Sequence, residues 1–156
     1  MPELPEVETT VRGLKFIIND FIKLITLHRN NLRYPIPKKI IKLTKNSKIL
    51  SIIRKAKYII IVLDNLFSLV IHLGMSGCLK YYNPKDIYSK SIHDHVEILL
   101  YSNSKIILND PRRFGVFDII ESDKISFSKY FKNLGMDPFD KRFTYNYTDA
   151  NKVLDG

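Results

Sequence analysis

The chain has 156 residues, of which 45% are hydrophobic and 26% charged, a balance that suits one packed domain and argues against wholesale disorder. Its net charge is +9, and the stretch from Phe21 to Leu63 holds eleven Lys or Arg and no Asp or Glu; such a surface suits a polyanion, most simply nucleic acid, with a merely soluble basic protein or an anionic-lipid binder as the alternatives. No apolar run approaches the roughly 18 residues of a membrane helix, the acidic start is unlike a signal peptide, and a single cysteine, Cys78, excludes an internal disulfide framework and points to a reducing compartment.

The first element begins in "MPELPEVETT". Pro5 suits the first turn of a helix, where its missing N–H costs nothing. Glu6 and Glu8 then sit near the positive end of the helix dipole. Val7, Val11, Leu14, Ile18 and Phe21 recur at helical spacing and form one apolar face. Pro2 and Glu3 lie before this helix and are not explained by it. "FIKLITLHRN" alternates as a strand, and "YPIPKKI" is a proline-punctuated connection. "KILSIIRKAKYIIIVLD" contains two β-branched runs interrupted by the basic "RKAK".

"SLVIHLGMSGCLKYY" reads as a strand, a glycine-marked bend and a second strand. "HVEILLYSNSKIILND" is a hairpin with its turn near Ser102–Ser104, and "VFDIIES" is a further short strand. A short helix is predicted over Ile125 to Phe131. One helix followed by many strands with short connections predicts a mainly β fold with flanking helices, a sandwich or barrel. The connections are too short for the crossover helices of parallel βαβ units. A boundary is predicted at "NLGMDPFD", so residues 1–132 form one domain and residues 133–156 begin another.

Five stretches could carry chemistry. "DPRRFG", Asp110 to Gly115, places two guanidinium groups, an aromatic ring and a glycine after a turn. Arginine can fork onto phosphate or a base edge, and phenylalanine can wedge between bases; the plainer reading is a loop with an ordinary ion pair and a core-facing Phe. "HLGMSG", His72 to Gly77, sets an adaptable Met75 between glycines, either core filler or a side chain held out on a loop. "HDH", His93 to His95, could contact phosphate or be a solvated strand end, and two histidines alone are too few for zinc. Lys57 lies among basic residues before an apolar run, where most lysines are merely solvated.

The fifth stretch is the terminus itself. A small residue after Met1 usually allows that methionine to be removed. Pro2 would then present a free secondary amine, and α-amino groups titrate near 8, so part of it is neutral and nucleophilic. Amines of this kind form Schiff bases with electrophilic carbon, and Glu3 beside it is an acid/base group.

"MPELPEVETTVRGL", "RKAKYIII", "HLGMSG", "HDHVEILL", "NDPRRFG" and "LGMDPF" occur in this order over most of the chain. Together they resemble the formamidopyrimidine-DNA glycosylase family, base-excision repair enzymes that remove oxidised purines. Leu4 stands where the related endonuclease VIII branch tends to carry Gly. The resemblance implies a two-sheet β-sandwich flanked by helices and a bifunctional DNA glycosylase/AP lyase acting on damaged double-stranded DNA. It implies Pro2 as the nucleophile at C1′, Glu3 as proton donor and acceptor, Glu6 as a second motif acid shaping the site, and Lys57 for a phosphate contact and proton transfer. Met75, Arg112 and Phe114 match the three side chains that refill the gap left by the extruded base, with Arg112 reading the orphaned cytosine. His93 matches a DNA-contacting position, His72 is expected near the DNA backbone, and Arg113 is expected among the DNA-binding residues.

The family's complete enzymes continue into a helix–two-turn–helix domain and a C-terminal zinc finger. "DKRFTYNYTDANKVLDG" lacks their phosphate-gripping motifs, so a truncated start of the helical domain is expected at 133–156, with no finger and no cofactor in this chain. Two readings follow. One is the glycosylase/lyase or its catalytic part, cytoplasmic and nucleoid-associated, with a separate chain as a conceivable source of the remaining domains. The other is a weakly DNA-binding, inactive relic or half-enzyme. A basic β-sandwich binding RNA or protein is a remoter third class.

Overall fold

A computed structural model describes residues 4–132 of the chain. Pro2, Glu3 and the predicted boundary with its following segment, 133–156, lie outside the described residues. The elements in chain order are α1 (Leu4–Leu14), a 3-10 turn (Lys15–Ile17), β1 (Ile22–Leu27), α2 (Lys39–Thr44), β2 (Ile49–Lys55), β3 (Tyr58–Leu63), β4 (Phe67–His72), β5 (Cys78–Tyr82), β6 (Asp94–Leu100), β7 (Lys105–Asn109), β8 (Val116–Glu121) and a second 3-10 turn (Ser122–Phe127). Two four-stranded sheets form, in the orders β1-β6-β7-β5 and β2-β3-β4-β8, and every pairing is antiparallel. The expected two-sheet sandwich with flanking helices is the fold observed.

Ile25, Ile98 and Ile106 of the first sheet meet Ile59, Ile61, Leu69 and Ile71 of the second in one core, to which α1 adds Val7, Val11 and Leu14. The alternate residues Ile60, Val62 and Val70 point to the other face of the second sheet, where Ile125, Tyr130 and Phe131 cover them. Both faces of that sheet are therefore buried, which is why "YIIIVL" is an unbroken apolar run and not an alternating one.

Three predicted details are corrected. The first helix stops at Leu14, and Ile17, not Ile18 or Phe21, takes the buried place. The cause is the tight 3-10 turn followed by Asn19 at φ 77°, a left-handed residue that asparagine tolerates and that ends helical periodicity. Phe21 is exposed and bridges to Lys48. The connection after "YPIP" contains α2, anchored by the fully buried Ile40; a helix of 6 residues is too short to show a period. The helix expected over Ile125 to Phe131 is a 3-10 turn that starts earlier, at Ser122, and ends at Phe127.

The register defines the two ends of the sandwich. His72 pairs with Tyr58 and Val116, and Tyr58 with Lys55. In the other sheet Asn109 pairs with Cys78 and Asp94. The segments 56–57, 73–77 and 110–115, together with His93, thus lie at the sheet ends joined by two crossovers. α1 is directed the same way. Glu8 pairs with Arg54 at 2.6 Å, next to the β2–β3 turn, whereas Asn19 beyond the helix donates to Ile49 at the far end of β2.

Candidate nucleic-acid interface

The segment 73–77 carries the chain from β4 in one sheet to β5 in the other. The segment 110–115 carries it back, from β7 to β8. Because β4 pairs with β8 and β5 with β7, the two crossovers must run side by side. They pack backbone on backbone. A Cβ on Gly74 would stand 2.7 Å from the Gly115 nitrogen, and one on Gly115 would stand 2.5 Å from the His72 carbonyl oxygen. Neither position admits a side chain without displacement, and Gly74 also has φ +65°.

Asp110 knits the crossovers together. It is fully buried. Its Oδ1 accepts from Ser76 Oγ at 3.1 Å and from the Arg113 N–H at 3.1 Å, and its Oδ2 accepts from the Gly115 N–H at 2.9 Å. Its own N–H donates to the His93 carbonyl at 3.0 Å. Its carbonyl is 3.0 Å from His95 Nε2. A buried carboxylate is costly unless its lone pairs are filled, and here the donors come from the loops that the carboxylate orders. Ser76 Oγ also accepts from the Arg112 N–H at 3.2 Å.

This frame holds three side chains outward. Met75 is 51% and Phe114 40% exposed, so neither is core filler. The Arg112 guanidinium carbon lies 5.1 Å from the centre of the Phe114 ring, close enough for a cation–π contact. Arg113 is exposed and sits at φ 58°. Two large apolar side chains exposed on adjoining crossovers beside two guanidinium groups make this end a candidate binding surface.

His93 is exposed at the start of β6, with its ring 6.3 Å from that of the buried His95. The strand start is fixed by Asp94, which accepts from Tyr88 Oη at 2.9 Å, the Ser91 N–H at 2.8 Å and Asn109 Nδ2 at 2.8 Å. Burial pushes the Asp94 carboxyl up, but the donors from Asn109, Ser91 and Tyr88 outweigh it and hold the group below the usual range. Burial, helped by the same contact with Asp94, raises the pKa of the Tyr88 hydroxyl.

His72 lies beneath the crossover and is only 7% exposed. Its Nδ1 accepts from the Gly74 N–H at 2.9 Å, and its ring meets Tyr58 at 4.7 Å. Burial lowers its pKa, the Arg33 and Lys57 cations lower it further, and Asp110 opposes them. The neutral ring therefore carries its proton on Nε2. Lys57 is half-buried in the two-residue β2–β3 turn, after Ala56 at φ 53°. Glu6 is exposed in the first turn of α1.

The structure thus brings Met75, Arg112, Arg113, Phe114, His93, His72 and Lys57 to one end of the sandwich. The basic stretch divides. Arg29, Arg33 and Lys57 lie toward that end, with Arg33 donating its N–H to the Gly115 carbonyl at 3.0 Å, while Lys23, Lys45 and Lys48 lie toward the opposite end, beside Ile22. Sequence reasoning missed Ser76 and the role of Asp110. The signals were a hydroxyl directly after Met75 and an Asp before Pro111 in a turn. Arg33 carries no local signal, because its neighbour Gly115 is brought to it by the fold. Among the described residues no group of His, Cys, Asp and Glu is arranged to hold a metal ion, and no helix is long and apolar enough to cross a membrane.

A model of the formamidopyrimidine-DNA glycosylase N-terminal domain matches residues 1–117. The chain belongs to the formamidopyrimidine-DNA glycosylase family. It is 43% identical over 148 residues to the protein of that name from Ruthia magnifica subsp. Calyptogena magnifica, covering 94% of this chain and 53% of that one. It is 44% identical over 156 residues to the one from Rickettsia canadensis, covering 98% and 55%. The chain spans about half the length of the curated relatives it matches. The structure of MutM in complex with DNA containing carbocyclic 8-oxo-G superposes with a TM-score of 0.72 at 31% identity, over 85% of this chain and 48% of that one. The Lactococcus lactis family member, non-covalently bound to DNA containing an AP site, gives 0.69 at 28% identity, over 80% and 47%.

Proposed function

We propose that this domain acts in base-excision repair as a DNA glycosylase/AP lyase on duplexes carrying oxidised purines such as 8-oxoguanine and formamidopyrimidines. The observation that supports this most strongly is the presentation of Met75, Arg112 and Phe114 from two interlocked crossovers. A damaged base must leave the stack to be reached, at a cost of a few kcal/mol. Filling the gap offsets part of that cost. Met75 and Phe114 supply apolar surface to unstacked neighbours. Arg112 supplies donors to the acceptors of the cytosine left without a partner.

Pro2, as a free secondary amine, attacks C1′ as the base departs with the bonding electrons; the amine then gives up its proton, and the C1′–O4′ bond opens, O4′ taking the electron pair and a proton, to leave an iminium at C1′. Glu3 exchanges the protons, and successive eliminations then cut the strand on either side of the sugar. Lys57 holds a phosphate and takes part in proton transfer, Glu6 shapes the site, and His93 and Arg113 contact the DNA backbone. His72 serves through Gly74, which it supports from below. The amine of Pro2 is the nucleophile, so this chemistry calls on no cofactor. The relatives bound to lesion-bearing DNA support the substrate class.

Fluorescence anisotropy with a duplex containing a tetrahydrofuran abasic analogue opposite cytosine tests this reading. The chain is expected to bind that duplex more tightly than undamaged DNA; Phe114→Ala is expected to remove about tenfold of the preference, as for loss of one base–aromatic contact, and Met75→Ala to reduce it as well. Equal affinity for both duplexes, unaffected by either substitution, would remove the probing role of the loops.

A further inference from the structure

Ser76 follows Met75 directly in the chain, and its hydroxyl makes two bonds at once. It donates to Asp110 Oδ1 at 3.1 Å and accepts from the Arg112 N–H at 3.2 Å. Only a hydroxyl among small side chains can donate and accept through one atom in this way. One side chain therefore joins the loop that carries Met75 to the backbone of the residue that carries the guanidinium. The glycine contacts between the crossovers fix how closely the backbones approach. They do not pin the backbone of Arg112 itself; the Ser76 bond does.

We infer that Ser76 is a positioning residue that makes Met75 and Arg112 enter a duplex as one rigid unit. The inference rests on the probing role proposed above for these two side chains. The hydroxyl touches neither DNA nor reacting atoms in this assignment. It sets the distance between the group that fills the gap and the group that reads the opposite base. Asp110 does not need Ser76 to stay satisfied, because Arg113 and Gly115 still donate to its two oxygens. Loss of the hydroxyl therefore leaves the loops folded and removes their coupling.

A double-mutant cycle on the whole chain tests this. Met75→Ala, Arg112→Ala and the pair are compared by affinity for the tetrahydrofuran duplex opposite cytosine, with Ser76 intact and with Ser76→Ala. With Ser76 intact the two losses are non-additive by about fivefold, the worth of one net hydrogen bond. In the Ser76→Ala background they become additive, and Ser76→Thr restores the coupling. Ser76→Ala alone leaves affinity for undamaged duplex within about twofold, a result that general loss of structure would not give. Should Ser76→Ala fail to fold, Ser76→Gly, which removes the hydroxyl and adds no bulk, carries the same comparison. Additive losses with Ser76 intact, or coupling that survives its removal, would overturn the inference and leave the probing role standing. A fall in undamaged-duplex affinity that matches the fall on the lesion would overturn it as well. Single substitutions of Met75 and Arg112 that change nothing would overturn the probing role and the inference together.

Discussion

Gly74 and Gly115 approach so closely that a Cβ on the first would stand 2.7 Å from the backbone nitrogen of the second. That contact sets the spacing of the two crossovers. Gly74→Ala must push the backbones apart and also strain a left-handed residue. It is expected to lower stability by about 1–3 kcal/mol and to weaken the preference for lesion-bearing DNA. Gly13, inside α1, has nothing within 4 Å of its would-be Cβ. Gly13→Ala is expected to raise stability by up to about 1 kcal/mol. Urea melts of the two variants should move in opposite directions; a Gly74→Ala midpoint at or above that of the parent would contradict the packing described.

Stability should depend on pH through His72 and His95. Burial lowers the pKa of both rings, with Arg33 and Lys57 adding to the shift at His72, while at His95 the Asp110 carbonyl works against it. The folded state thus holds fewer protons than the unfolded one. Stability is full above the ordinary histidine value of about 6.5 and is lost as pH falls through it toward the lowered folded values. His72→Asn keeps an acceptor near Nδ1 for the Gly74 N–H and cannot titrate. It is expected to flatten the stability profile between about pH 7 and 5 by the His72 share. An unchanged slope would mean that His72 titrates alike in both states.

Arg112 should distinguish the base opposite the lesion. With Arg112→Ala, affinity for a tetrahydrofuran site opposite cytosine falls by about tenfold, consistent with the 1–3 kcal/mol of a specific arginine–base contact, while affinity for undamaged duplex changes much less. Equal losses on every duplex would make Arg112 a phosphate contact.

The two ends of the sandwich should differ in salt response. Each phosphate contact adds about 0.9 to the slope of log affinity against log salt. Lys57→Ala is expected to reduce that slope by about 1. Lys45→Ala, at the far end beside the Asn46–Ile22 hydrogen bond, should leave it unchanged. A slope that responds to Lys45 and not to Lys57 would place the DNA on the wrong end.

The eight strands were legible because β-branched runs and short connections mark them locally, and the hairpin turn at 102–104 falls between β6 and β7 as expected. The helix end was not, since it depends on the left-handed Asn19 and on Ile17 finding the core. α2 was hidden by its length. The candidate site was legible only as separate pieces. Composition alone favours Met75 as core filler and Phe114 as core-facing, and the family resemblance is what lifts both to the surface, where the structure holds them. What brings "HLGMSG" against "DPRRFG" is the pairing of His72 with Val116 and of Cys78 with Asn109. Those pairings are set by sheet order and leave no local trace. Ser76 and Asp110 were obscured for the same reason, because each acts across the two loops.

In the proposed reaction the Pro2 amine performs the chemistry on lesions that the loops detect. Borohydride trapping tests it most directly: the chain, with removal of Met1 verified by mass, is mixed with a duplex containing 8-oxoguanine opposite cytosine and reduced. The expected product is a covalent protein–DNA adduct that maps to Pro2 and is lost in Pro2→Gly. A folded protein with a free Pro2 that yields no adduct, or an adduct undiminished by Pro2→Gly, would contradict it.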